Sequence, residues 1–273
     1  MLFSIFTFAN AQTNHSLSFD GSDDYVDLSY TNGQIESEIS ISAWVNLNSN
    51  SNGGHIIFNG FGGGGDANWY WGMILEDSDA GGGIQPKIML HTDQGINGAG
   101  HKPSPNNGII APNSGWHHVA MTYGNNTLKI YLDGTEVHTE TVQGNDVTES
   151  SRVNIGGWEN SDETFTGSMD GKIDEISVWN RALTGAEVQN YMATALIGDE
   201  SDLVGYWNFN ESVGSALTDL SGNGFKAFLQ NSPTHTFNDQ GYFTFNGTNQ
   251  YTTQNGLPSV NVRLDSYTME LWF

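Results

Sequence analysis

The sequence contains no cysteine. That excludes disulfides, thiolate chemistry, iron–sulfur clusters and cysteine-ligated zinc. Bases are scarce too: 8 lysines and arginines stand against 31 acids, a formal net charge of −23. Such a body repels nucleic acid and anionic lipid, so neither is expected as a partner, while divalent cations are tolerated well. Long hydrophobic runs are also missing. The apolar stretch Leu2–Phe8 is far too short to span a bilayer. Ala9-Asn10-Ala11 reads as an A-x-A cleavage site, which makes 1–11 a signal peptide and the product secreted or cell-surface. The basic region that should precede it is lacking, as if the leader were truncated. An exported chain without disulfides needs a large core, bound cations or both.

The material for a core is present. Hydrophobic residues make up 37% of the chain and aromatics 12%, enough to fill one. The 34 glycines fall mostly between short apolar runs, the pattern of an all-β protein. "ISISAWV" (39–45) alternates, as do "WHHVAMTY" (116–123) and "LKIYLDG" (128–134). Asn125-Asn126 should join the last two as a hairpin, and Asp133-Gly134 should turn the next. "ALTGAEVQNYM" (182–192) carries a capping box, Thr184 with Glu187, and a hydrophobic staple, Leu183 with Val188. Many short strands with one late helix predict an antiparallel β-sandwich of the jelly-roll type.

The chain repeats itself. "LSFDGSDDYV" (17–26) matches "FTFNGTNQYT" (243–252), an offset of 226, and "ISISAWV" matches "YTMELWF" (267–273) at nearly the same offset. The expected organisation is a sandwich over 15–195, a linker at 196–201 and an incomplete second copy over 202–273, as in a fragment of a longer chain. The start of that copy, lacking an opposing sheet, should be poorly ordered or loosely docked.

Taken in order, "SFDGSDDYVDL", "ISISAWV", "WHHVAMTY", "LKIYLDG", "NIGG" and "GKIDEISVWNRALTGAEV" resemble the laminin G-like jelly roll of the concanavalin A-like lectin/glucanase superfamily. "LVGYWNFNESVG" and "DLSGNG" fit the opening of a second copy. The resemblance implies a secreted module, mostly non-catalytic, that binds glycan or mediates adhesion beside other domains of a longer chain. It also implies calcium between the first strand's turn and the last strand, here Asp20 and the carbonyls near Gly21 with Asp174. The alternative is that Asp20 makes an Asx-turn and Asp174 accepts backbone N–H bonds. The opening cluster lacks the EF-hand spacing, and its acids become Asn246, Asn249 and Gln250 in the repeat.

No catalytic residue is assigned. A glycosidase needs two carboxyl groups flanking the bond. Asp174 and Glu175 are adjacent and should point to opposite faces of a strand, with Asp174 sharing a face with Ile176 and Val178. His117 and His118 should also diverge, one packing beside Trp116. No serine–histidine–aspartate triad can be read from residues so scattered, and G-x-S-x-G and H-E-x-x-H are absent. Ligand contacts are expected from the glycine-rich region 51–114 and a later loop: Asp66, Asn68, Trp69, Trp71, His91 and Trp158, with a glycan or glycoprotein as ligand. The alternative is that these aromatics are packing residues. The leading reading is a non-catalytic carbohydrate-binding or adhesion module stabilised by calcium. A glycoside hydrolase or polysaccharide lyase, or a structural spacer repeat, stands as the alternative.

Overall fold

The computed structural model describes residues 15–237, apart from 32, 49–52, 61–68, 78–82, 93–94, 97–102, 104–106, 145, 160–164 and 212. Side chains are not described at 69, 95, 96, 158, 159, 165, 166 and 237. The chain forms β1 (His15–Asp20), β2 (Tyr25–Ser29), β3 (Ile39–Leu47), β4 (Gly54–Gly60), β5 (Trp69–Asp77), β6 (Ile84–Thr92) and β7 (Gly95–Ile96). Next come β8 (Trp116–Gly124), β9 (Thr127–Leu132), β10 (Thr135–Thr141), β11 (Arg152–Ile155), β12 (Trp158–Glu159), β13 (Phe165–Thr166) and β14 (Asp170–Trp179). Helix α1 (Gly185–Ala193) precedes β15 (Leu203–Trp207), β16 (Ala216–Leu217), β17 (Ala227–Gln230) and β18 (Thr234–Phe237).

One sheet runs β10-β9-β8-β3-β14-β1-β18, with β15 also on β14; the other runs β16-β17-β2-β11-β4-β5-β6-β7. The pairings are antiparallel, so the expected β-sandwich with one short helix is the observed fold. Period-two alternation sends Ile39, Ile41, Ala43 and Val45 inward from β3, and Val119, Met121 and Tyr123 from β8. Trp71, Met73 and Leu75 of β5 meet them from the facing sheet. Both expected turns form. Gly124 faces Thr127, and Asn125 and Asn126 both take positive φ (51° and 58°), which makes the two-residue loop that matches strand twist.

The outer face of the first sheet is covered as well. The Glu187 amide donates to the Thr184 hydroxyl, and the Thr184 amide donates to the Glu187 carboxylate, closing the capping box. Leu183 and Val188 then pack with Tyr131, Trp179 and Tyr206 in a second, smaller core. Further along this face His118 lies edge-on to Trp44, 5.4 Å between ring centres.

Strand β14 breaks its alternation at Glu175, whose φ is +52°. The register against β3 shifts between Asp174 and Ser177. Ile173 and Ile176 therefore both face the main core, while Asp174 pairs with Trp44 and turns to the outer side. The expected common face for Asp174, Ile176 and Val178 is corrected by this bulge.

The expected boundary at 196–201 falls inside a single compact unit that extends to Asn238. Its near side supplies α1 and its far side supplies β15 on β14, β17 on β2 and β18 on β1. Val204, Trp207, Phe209, Leu217, Phe225 and Ala227 belong to the main core. The segment 203–237 thus completes the first sandwich, because β14 outruns β1 and both sheets have an edge to close. The sequence repeat from 243 onward lies outside the described residues.

Two predictions follow from this packing. Trp207→Ala should destabilise the chain by about 3–5 kcal/mol in urea unfolding, the cost of an aromatic-sized core cavity. Burial also lowers the His118 imidazole pKa from 6.5 to about 4. Between those values the unfolded chain binds a proton that the folded chain refuses, so stability is lost as pH falls through this window. His118→Phe should flatten the decline by about 3 kcal/mol at most, read from unfolding free energies across that range.

Candidate functional site

The end of the sandwich where β1 meets β14 gathers carboxylates. Asp20 and Asp170 are directly opposed across the two strands. Gly21 follows with φ +79°, and a Cβ there would lie 2.9 Å from that of Asp170, so the turn admits only glycine. The Gly21 amide donates to the Met169 carbonyl, tying the turn to the approach of β14. Asp20 Oδ1 accepts from the Ser22 amide at 2.8 Å, the Asx-turn read as an alternative to a metal ligand. Asp24 Oδ2 in turn accepts from the Asp20 amide at 3.1 Å.

Asp20, Asp23 and Asp24 each offer a carboxylate oxygen within 4.8 Å of the others. Asp24 is buried, and burial, then the charges of Asp20 and Asp23, push its pKa up despite the Asp20 amide. No ion pair to these three or to Asp170 forms among the described residues. Calcium takes oxygens at about 2.3–2.6 Å, so ligands on opposite sides of one ion stand about 4.6–5.2 Å apart. The cluster has that span, and a dication would relieve its mutual repulsion. Asp20, Asp23 and Asp24 are therefore the residues that fit the cation.

Asp20 also stands between two clefts. One, of about 390 Å³, is lined by Asp20, Gly53, His55, Glu76, Ser168 and Asp170. The other, of about 480 Å³, includes Asp24, Asn48, Asn231 and Thr234. Asn48 Nδ2 donates to Asp170 Oδ1 at 2.6 Å. His55 Nδ1 lies 2.9 Å from the Gly167 carbonyl and so carries its proton there. Desolvation lowers the His55 pKa to about 4, so the imidazole is neutral at physiological pH. Glu76 is tied to Lys87 at 2.8 Å.

The other expected site residues are scattered. Asp174 does not meet Asp20: Leu17 faces Ile173, which sets Asp174 level with Ser16, about 13 Å along the strand. It is fully buried, and its Oδ1 accepts from the Glu175 amide, the alternative named for it above. Glu175 accepts from the Tyr206 hydroxyl. Trp71 is not a ligand platform, since it is completely buried between the sheets and edge-on to Tyr30. The neighbouring ring on that strand is Tyr70, half-buried against the main core and 6.0 Å from the buried His91. Asp66 and Asn68 lie outside the described residues, as do the side chains of Trp69 and Trp158.

Sequence reasoning missed three groups on this rim. Neither Asp170 nor His55 carried a motif. The third is a chain of bonds through residues 114, 117 and 133. Ser114 Oγ lies 2.9 Å from His117 Nε2, and His117 Nδ1 donates to Asp133 Oδ2 at 2.8 Å. Asp133 Oδ1 accepts from the His118 amide. The signal was available: a two-residue turn at 125–126 sets Gly124 opposite Thr127 and, counting back, His118 beside Asp133.

No curated protein shows significant similarity to the chain. Solved structures do. A protein from Bacteroides ovatus, provisionally described as carbohydrate binding, is 20% identical with a TM-score of 0.62; the match covers 84% of this chain and 61% of that one. A heptameric SAP-like pentraxin from Limulus polyphemus is 14% identical with a TM-score of 0.56, covering 80% of this chain and 96% of that one. Domains LG4-5 of the mouse laminin alpha1 chain are 16% identical with a TM-score of 0.44, covering 68% and 47%. At these identities the likeness is one of fold. The laminin G profile described as the concanavalin A-like lectin/glucanases superfamily matches residues 20–189, and with that span of sequence and this sandwich the chain belongs to that superfamily.

Proposed function

We propose that this chain is a carbohydrate-binding or adhesion module of a secreted or cell-surface protein that cleaves no glycosidic bond, with calcium held at the rim. The observation that carries the reading is the pair of clefts meeting at Asp20, with carboxylates, amides and glycine backbone but no cationic side chain among the residues that line them. Such a surface offers acceptors and exposed peptide groups to sugar hydroxyls. A calcium ion on Asp20, Asp23 and Asp24 would add a ligand-exchanging centre and stiffen the β1–β2 turn. Support also comes from the description of the Bacteroides ovatus protein as carbohydrate binding. No helix of the described residues is long and apolar enough to cross a membrane. The partners are a glycan or glycoprotein surface and the neighbouring domains of a longer chain.

Two measurements test this reading. Calcium at about 100 times its Kd should stabilise the chain by about 2.7 kcal/mol, and EDTA should reverse the rise in Tm. Asp24→Asn should abolish that shift while Asp174→Asn keeps it, whatever each does to the basal Tm. Identical melting with calcium and EDTA removes the cation from the proposal. A glycan array in calcium should show binding that Asp170→Ala weakens, with no sugar released from polysaccharide. Sugar release would replace the module by a hydrolase or lyase, and silence across the array would leave the spacer.

A further inference from the structure

The glycan reading makes no use of the bonded chain Ser114–His117–Asp133. We propose that these residues form a serine acyl-transfer centre that hydrolyses small acyl esters, of the class of an O-acetyl group on a sugar.

Connectivity comes first. A serine hydrolase needs a hydroxyl within hydrogen-bond reach of one imidazole nitrogen, and a carboxylate on the other to fix tautomer and orientation. Ser114 Oγ is 2.9 Å from His117 Nε2, and Asp133 Oδ2 is 2.8 Å from His117 Nδ1. Asp133 is itself held, because its Oδ1 accepts from the His118 amide at 2.9 Å. Burial alone would raise the Asp133 pKa, yet the bonds from His117 and the His118 amide outweigh it and keep the carboxyl below its usual range. An anionic Asp133 leaves Nδ1 protonated and Nε2 able to accept.

The setting of Ser114 is the second observation. It is exposed in a sharp turn between Asn113 (φ 60°) and Gly115 (φ 95°). Nothing lies within 4 Å of the position a Gly115 Cβ would take. The Gly115 amide makes no hydrogen bond among the described residues. The amide after the nucleophile is the one that serine hydrolases of the nucleophile-elbow type use for the oxyanion. Ser114 Oγ also donates to the Ala111 carbonyl. Rotation of this one hydroxyl moves the proton toward Nε2.

The turn's position supplies the substrate class. The Asn113 amide donates to the Leu47 carbonyl, which pins this loop to the end of β3. Strands β8, β3, β14 and β1 are consecutive neighbours. Three strand spacings, about 14 Å, therefore separate the serine from the Asp20 rim, along the same end of the sandwich. A sugar chain lying along that rim would bring its ester groups to Ser114.

The chemistry balances without a further reagent. Ser114 Oγ bonds to the ester carbonyl carbon as its proton passes to His117 Nε2. The carbon–alkoxy bond breaks, and that proton leaves with the alcohol. Water then attacks the acyl-serine, gives a proton to Nε2, and the carboxylic acid departs as Ser114 recovers it.

The deciding experiment uses the intact chain and a fluorophosphonate probe, with the labelled serine located by mass spectrometry. Ser114 should be phosphonylated at least about tenfold faster than any other serine, and p-nitrophenyl acetate should be turned over above the buffer rate. His117→Gln should cut both rates about 100-fold or more. The rate should rise with pH along a single imidazole titration that the variant lacks. Asp133→Asn, checked for an intact fold by its melting curve, should distort that profile. A folded wild-type chain whose Ser114 labels no faster than its other exposed serines overturns the proposal, as does labelling indifferent to His117→Gln. Neither readout needs a glycan, so failure here is separate from failure of the binding reading.

Discussion

Strand β14 hydrogen-bonds to β3 on one edge, and to β1 and then β15 on the other. This three-way pairing sets the positions on which the molecule's chemistry depends. Its first residues bring Asp170 against Asp20 and close the acidic rim. Its bulge at Glu175 swings Asp174 and Glu175 away from the main core, toward Trp44 and Tyr206. Its last residues outrun β1 and receive β15, which draws 203–237 into the sandwich. A one-residue change in this register would reverse the faces of β14 and dissolve all three arrangements.

Much of the fold was legible because its signals are local. The Asn125-Asn126 and Asp133-Gly134 turns, the capping box at Thr184 and the alternation in β3 and β8 each depend on residues a few positions apart. The laminin G-like resemblance rested on the same stretches. The bulge was not legible, because "KIDEISVW" alternates as well without it as with it, and only the pairing with β3 reveals the extra residue. The error over Asp174 follows directly: on an unbroken strand it would share a face with Ile176. Trp71 was misjudged for a different reason. Alternation separates two faces but does not say which one faces the core.

The repeat in the sequence and the boundary of the sandwich agree better than either first suggested. The first described strand begins at His15 and the compact unit closes at Asn238, a length close to the 226-residue offset between "LSFDGSDDYV" and "FTFNGTNQYT". The similarity of "LVGYWNF" to the opening of a new copy misled because opening and closing strands are neighbours in a jelly roll. β18 pairs with β1. A segment that sits beside the first strand can belong to the unit before it or the unit after it. Here Trp207, Phe209 and Phe225 settle the matter by burying themselves in the core they follow.

Charge gives the rim its character. With a net −23 spread over the chain, Asp20, Asp23, Asp24 and Asp170 add to a field that is already negative. Asp24 is buried beside two other acids, where desolvation and repulsion both oppose its ionised form. A divalent cation there would offset that repulsion. It would also change what the rim could hold: the bare rim disfavours anionic sugars, while a loaded rim would offer a positive centre flanked by acceptors. The same field bears on Ser114 and His117 at the far side of that rim. Negative surroundings stabilise the cationic base of the acyl-transfer transition state. They disfavour the developing oxyanion, which leaves the Gly115 amide as the local counterweight. A cation at Asp20 would lie about 14 Å from the serine, nearly two screening lengths at physiological salt, so the two centres would be largely screened from one another.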